Sequence, residues 1–410
     1  MKKRITYFVL LMFVVITGCE EENNEPKKIT SEDLNFEVTF KESFENTIYP
    51  SFILGLSKLA SSENESFEFI KYSLEAPEKD HELKVVLNES SINNETILQE
   101  YMDFGGGQIS YYPMINWNYE KLKTLKQQGN VDLSFTAYID GEEIDNKTLR
   151  LNYRSVNECI TGYIDEENNY EDLTWMFAGY VNEDHPKIDE FLSEVLGNNV
   201  VDNFDGYQQG TEESVIDQAF AIWHTLQKKG VTYSSITNTS NPSDKIFTQH
   251  VRFFEEVYNN NQANCVDGSV FLSSIFKKID IKPFLVLVPS HMYMGFYTSS
   301  DKTSFELLET TMIGHINLNE INEDNLLDYG DYITQETYDA YLNGYCTLEY
   351  VKTEISWISF VDAIYSNREQ WNNNLPKFND SNNYDYQTLD IETLRGIVQP
   401  IAKKKTRIVK

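Results

Sequence analysis

The chain has 410 residues with 34 Lys+Arg against 65 Asp+Glu, a formal net charge of −31, and that sign removes the electrostatic basis for binding nucleic acid or an anionic surface. Apolar residues at 40% and aromatics at 13% supply packed cores and exclude a disordered chain. At roughly 100 to 200 residues per domain the length predicts two or three domains, and no stretch beyond residue 18 is apolar enough to span a bilayer, which excludes a transporter.

Lys2, Lys3 and Arg4 precede an apolar run from Tyr7 to Ile16, and Ile16-Thr17-Gly18-Cys19 follows at once, the layout of a cleavable export signal over residues 1–18. These residues resemble the lipobox of bacterial lipoproteins. The resemblance implies cleavage before Cys19, lipidation of its thiol, and an exported protein held at the outer membrane through its lipid alone, on the periplasmic or cell-surface side. Glu20, Glu21 and Glu22 resemble the acidic starts of lipoproteins exported to the cell surface. Residues 19–32 carry almost no apolar content and are expected to form a flexible tether. With Cys19 spent on lipid, Cys159, Cys265 and Cys346 remain, an odd number in an oxidising compartment, so at least one is unpaired or pairs between molecules. A bridge between Cys159 and Cys346 would leave Cys265 free; the sequence leaves that pairing open.

Residues 33–157 read as an antiparallel β-sandwich. Leu34, Phe36, Val38 and Phe40 alternate with polar residues, as do Val131, Leu133 and Phe135, and period two marks half-buried strands. Asp140-Gly141 signals a hairpin into the alternating run Leu149, Leu151, Tyr153, and Phe67, Phe69 and Val85 to Leu87 supply further strands. Gly105-Gly106-Gly107 lacks the Lys and helix of a phosphate loop and reads as an ordinary loop. Between about 157 and 170 the period changes, which sets a boundary for a second domain over 158–325. Ile188, Phe191, Leu192, Val195 and Leu196 share one helical face between Pro186 and Gly197. Ser214 to Asp217 matches a capping box for a helix that runs to Gly230, and Val231 to Ser234 reads as a strand. Residues 326–410 form a C-terminal extension expected to pack on the core, with one helix around Phe360 to Trp371 and a solvated basic tail, Lys403 to Lys405.

The chemistry concentrates between 264 and 311. Val270, Leu272, Ile275, Phe276 and Ile279 follow Cys265 at helical spacing, placing the thiol in a first turn with Asn264 as N-cap. The helix's positive end favours a thiolate there. Pro283 to Val288 and His291 to Tyr297 read as strands, and Ser299 to Thr303 as the turn before a third, Phe305 to Glu309. A hairpin centred on Ser300 puts His291 and Glu309 directly opposite each other, so that the carboxylate orients the imidazole as a base for Cys265. Taken alone, Cys265 also reads as a buried structural thiol and His291 as a strand histidine with a chance Glu opposite. The three together favour catalysis.

Gln262-Ala263-Asn264-Cys265-Val266-Asp267-Gly268, Leu285 to Met292 and Leu308 to Gly314 resemble the core of the bacterial transglutaminase-like superfamily, with Gln249 to Phe253, Ala221 to Trp223 and Tyr153 to Asn157 as supporting segments. The resemblance implies a papain-like α+β domain after the sandwich, with Cys265 as nucleophile, His291 as base and Glu309 as acid. Its members act as thiol peptidases, amidases or acyl transferases, and some are inactive. Two departures stand out: Glu309 where the superfamily more often carries Asp, and Ser290 where exported relatives often have Gly. The Cys265 N–H with Gln249 or Gln262 would form the oxyanion hole. The expected substrate is a peptide or protein amide, hydrolysed through a thioacyl intermediate, with an amine acceptor making the protein a cross-linking acyl transferase instead. A surface lipoprotein binding a glycan or protein without catalysis is the competing expectation. No cofactor and no metal are expected: the six histidines never fall three or four apart, no C-x-x-C occurs, and residues 202–213 lack calcium-loop spacing.

Overall fold

The computed structural model describes residues 28–58, 68–77, 81–100, 106–234 and 243–402. Cys19, Phe67, Gly105 and the basic tail Lys403 to Lys405 lie outside the described residues. The architecture is α+β with several sheets.

The expected tether ends in structure. Ser31–Leu34 is a helical turn closed by a capping box between Thr30 and Asp33, and its Leu34 is fully buried. Leu34 is therefore helical, and the strand begins three residues later.

The front of the chain supplies β1 (Glu37–Phe40), β2 (Thr47–Ile48), β3 (Ile70–Ala76), β4 (Leu83–Leu87), β5 (Thr96–Glu100), β6 (Gly107–Tyr111), β7 (Gly129–Ile139) and β8 (Glu142–Tyr153). They form two sheets of order β1-β3-β6 and β2-β8-β7-β4-β5, whose buried faces join one apolar core. The pairing is antiparallel except for β2 on β8, which runs parallel and corrects the all-antiparallel expectation at one edge. Asp140 and Gly141 both take positive φ, 50° and 81°, the backbone a two-residue hairpin turn needs to match strand twist. They set Val131 opposite Leu151 and Leu133 opposite Leu149. Gly107 opens β6 rather than extending a loop.

The remaining strands are β9 (Glu158–Ile164), β10 (Tyr170–Asp172), β11 (Thr232–Tyr233), β12 (Ile246–His250), β13 (Gln262–Ala263), β14 (Pro283–Val288), β15 (His291–Tyr297), β16 (Phe305–Leu308) and β17 (Gln387–Asp390). Three further sheets follow: β10-β9-β12, the parallel pair β11-β13, and the antiparallel β16-β15-β14-β17. Every residue of β14 is buried, as expected for a strand flanked on both sides and covered on both faces. The apolar core runs without a break from the front sheets into this part of the chain.

Helices Pro186–Gly197 and Glu212–Lys228 lie where the period predicts them. The cap of the second is Thr211, whose hydroxyl accepts from the Ser214 N–H, not Ser214 itself. The single helix expected around Phe360 to Trp371 is two, Leu348–Tyr365 and Arg368–Phe378, interrupted at Ser366 and Asn367. β17 pairs with β14, so the C-terminal extension completes the sheet that carries His291.

Candidate active site

Cys265 is the first residue of helix Cys265–Lys278. Asn264 caps that helix: its side-chain oxygen accepts from the Asp267 N–H at 2.8 Å, and the Asp267 carboxylate accepts from the Asn264 N–H at 3.2 Å. The same carboxylate accepts from the Arg252 N–H at 2.8 Å and from its guanidinium at 2.9 Å. Asp267 is thus a fully buried carboxylate that ties the first turn of the Cys265 helix to the segment after β12. Breaking such a buried pair typically costs about 3–5 kcal/mol. The helix is buried nearly all round and packs on β14 and β15, the pattern of a central helix rather than a surface one.

His291 opens β15 after the two-residue turn Pro289-Ser290, with Val288 opposite it. Ser290 sits at φ 61°, a left-handed conformation that favours glycine. Ser290 therefore carries a small local strain at this turn.

Glu309 follows β16 as the cap of the short 3-10 turn Thr310–His315. Its Oε2 meets His291 Nε2 at 2.8 Å and accepts from Asn367 Nδ2 at 2.8 Å. Its Oε1 accepts from the Thr311 N–H at 3.0 Å and the Thr311 hydroxyl at 2.5 Å. Its own N–H donates to the Ala363 carbonyl, anchoring the acid to the C-terminal helix pair. Burial pushes the Glu309 carboxyl up, but the hydrogen bonds from His291, Thr311 and Asn367 prevail and hold it below its ordinary value.

With Nε2 on the acid, Nδ1 is the ring nitrogen left for the thiol. The side-chain hydrogen bond with Cys265, then that with Glu309, pushes the His291 imidazole up to about 10 against the opposing effect of burial. The imidazole thus has the Cys265 thiol and the Glu309 carboxylate as its two side-chain hydrogen-bond partners.

No family model matches the chain, and no curated protein matches it.

A cleft of about 1010 Å³ opens beside the thiol and the ring, bordered by Cys265, Asn264, His291 and Gln249. Of the two glutamines expected near the oxyanion, Gln249 borders the cleft, with its amide donating to the His250 carbonyl at 2.9 Å. Gln262 lies in β13 opposite Thr232, outside the cleft wall. As the first helical residue, Cys265 has an N–H outside the intrahelical ladder, available as an oxyanion donor.

Cys159, Cys265 and Cys346 are all free thiols, so the bridge left open between Cys159 and Cys346 is not formed. Cys159 lies in the main core, where burial pushes its thiol well up; Cys346 belongs to a separate apolar cluster around Val351 and Ile355.

Three contributors escaped the sequence reading. Asp267 had a legible signal, since Asn264 and Asp267 stand at capping-box spacing. Arg252 and Asn367 had none: Arg252 lies 15 residues from its partner and Asn367 lies 58 residues from Glu309.

Proposed function

We propose that the protein hydrolyses an amide or peptide bond through a thioacyl enzyme on Cys265, in the manner of the transglutaminase-like superfamily, as a lipid-anchored exported protein. The observation that carries this reading is the hydrogen bonding of His291 to both Cys265 and Glu309, with Cys265 and His291 bordering an open cleft.

The thiolate of Cys265 attacks the carbonyl carbon, and the oxyanion that forms is met by the Cys265 N–H and the Gln249 amide. His291 donates its proton to the departing amine as the C–N bond breaks. A water then gives a proton to His291 and attacks the thioester, and the acid product leaves as the sulfur recovers its electron pair. Glu309 holds the ring and offsets the imidazolium charge throughout. An amine in place of that water would make the same intermediate a cross-link.

Iodoacetamide at about pH 6 tests the reading, because the thiolate is the reacting form. Cys265 should be carbamidomethylated well ahead of free cysteine, ahead of Cys346, and Cys265→Ala should abolish the fast phase. Alkylation of Cys265 at only the rate of free cysteine would overturn the proposal.

A further inference from the structure

The cleft beyond the thiol and the ring has a composition of its own. Phe247 and Tyr384 border it with 43% and 42% of their surfaces exposed, although large aromatic rings normally cover themselves against a core. Between them stands Tyr170, its ring centroid 5.7 Å from that of Phe247 and 5.2 Å from that of Tyr384. The three rings form a continuous rail from β12, the strand that carries Gln249, to the loop 379–386.

That loop adds charge of one sign. Asp380 and Asp385 border the cleft beside Tyr384, both exposed, and Asp380 is braced by accepting from the Asn382 N–H at 3.0 Å. Burial first, then the charges of Asp172 and Asp385, push the Tyr170 hydroxyl up to about 12, so the field of Asp385 reaches the rail. Among the described residues bordering the cleft none is Lys or Arg, and the whole chain carries −31.

An anionic or phosphorylated ligand would meet only repulsion at this end. A long cationic side chain fits each element: its methylenes and charge lie across aromatic faces, and its head reaches carboxylates at the far end. The acidic chain would also draw such a peptide in.

We infer that the Tyr170–Tyr384 rail with Asp380 and Asp385 is a specificity subsite for a Lys or Arg side chain of the peptide whose carbonyl Cys265 attacks. This rests on the hydrolase reading for the role of the bound peptide, and its test does not depend on turnover.

The probe is Ala-Phe-Arg-Ala-amide carrying fluorescein on its N-terminal amine, with a twin in which citrulline replaces arginine, keeping the shape and removing the charge. Binding of both to the full chain carrying Cys265→Ala is read by fluorescence anisotropy. The arginine peptide is expected to bind at least about ten-fold more tightly, about 1.4 kcal/mol, with the ratio shrinking at high salt. In Asp380→Asn/Asp385→Asn the ratio should fall to about one, and Tyr384→Leu should weaken the arginine peptide by several-fold. Equal binding of the two peptides, absence of detectable binding by either, or a ratio that survives the double Asn variant would overturn the inference. The hydrolase reading stands or falls separately on the alkylation of Cys265.

Discussion

His291 and Glu309 meet across a diagonal of the β15–β16 ribbon, not side by side. The register pairs Met294 with Leu308 and Gly295 with Leu307; continued outward, it sets Glu309 across from Tyr293 and His291 across from Thr311. The hairpin is thus centred on Asp301 rather than Ser300. A shift of two in pairing keeps both side chains on one face, and diagonal neighbours remain within reach of a long side chain. The extra methylene that Glu309 has over an aspartate lets it span that diagonal to make the 2.8 Å contact.

Shortening the acid should therefore disable the site without unfolding it. Glu309→Asp withdraws the carboxylate by about an ångström, a displacement worth about 100-fold in a reacting geometry. The rate of Cys265 alkylation at about pH 6 should fall toward that of free cysteine, while the thermal midpoint moves little. Alkylation at the parent rate would show that the diagonal reach is not needed.

The titration of the pair gives a pH signature in stability. The folded His291 value of about 10 lies above its ordinary 6.5, so its contribution is fully present below about pH 6.5 and is lost as pH rises toward 10. Glu309 is held below its ordinary 4.5, so its contribution is present above about pH 4.5 and is lost as pH falls through the lowered value. The denaturation midpoint of the parent minus that of His291→Gln should be largest between about pH 5 and 6.5 and should shrink on both sides. A difference that does not shrink as the pH is taken from that range up toward about 10, or down below about 4.5, would contradict the assignment.

Asn367 is buried and donates to the same Glu309 oxygen as the histidine. Asn367→Ala leaves that oxygen short of one partner and should cost about 1–3 kcal/mol by chemical denaturation. Asn367→Asp puts a second carboxylate against the first and should cost more, with a stability that recovers as pH is lowered and one of the two acids takes a proton. Equal effects of the two substitutions would argue against a charge at Glu309.

Gly295 in the middle of β15 faces the ring of Phe284 on β14, and a methyl there would stand 2.1 Å from the ring's Cζ. Gly295→Ala should destabilise by about 1–3 kcal/mol through overpacking. Phe284→Leu, which frees that space, should reduce the penalty, and a double-mutant cycle should show coupling above about 0.5 kcal/mol. Strict additivity of the two changes would mean that the ring moves aside without cost.

Local signals carried a good part of the structure. The Asp140-Gly141 turn, the capped helix behind Cys265 and the strands β14 and β15 were legible because each depends on neighbours a few residues away. Leu34 misled because a helical turn and a strand both bury one residue at that spacing, and a Thr30–Asp33 capping box decided in favour of the turn. The break at Ser366 and Asn367 was unreadable: apolar period continues across it, and only the docking of Asn367 on Glu309 gives the break a purpose.

The order of residues by itself determined that a cysteine would start a helix, that a histidine would open a strand, and that a carboxylate would follow within one hairpin, since hydrogen bonding along the chain and burial of every second or fourth side chain act over short separations. Which glutamine borders the cleft, which asparagine holds Glu309, that Arg252 locks the helix of Cys265, and that the C-terminal strand closes the sheet were decided only when distant segments packed. Those contacts join residues many positions apart, and their energies exist only once the core has brought both partners out of water.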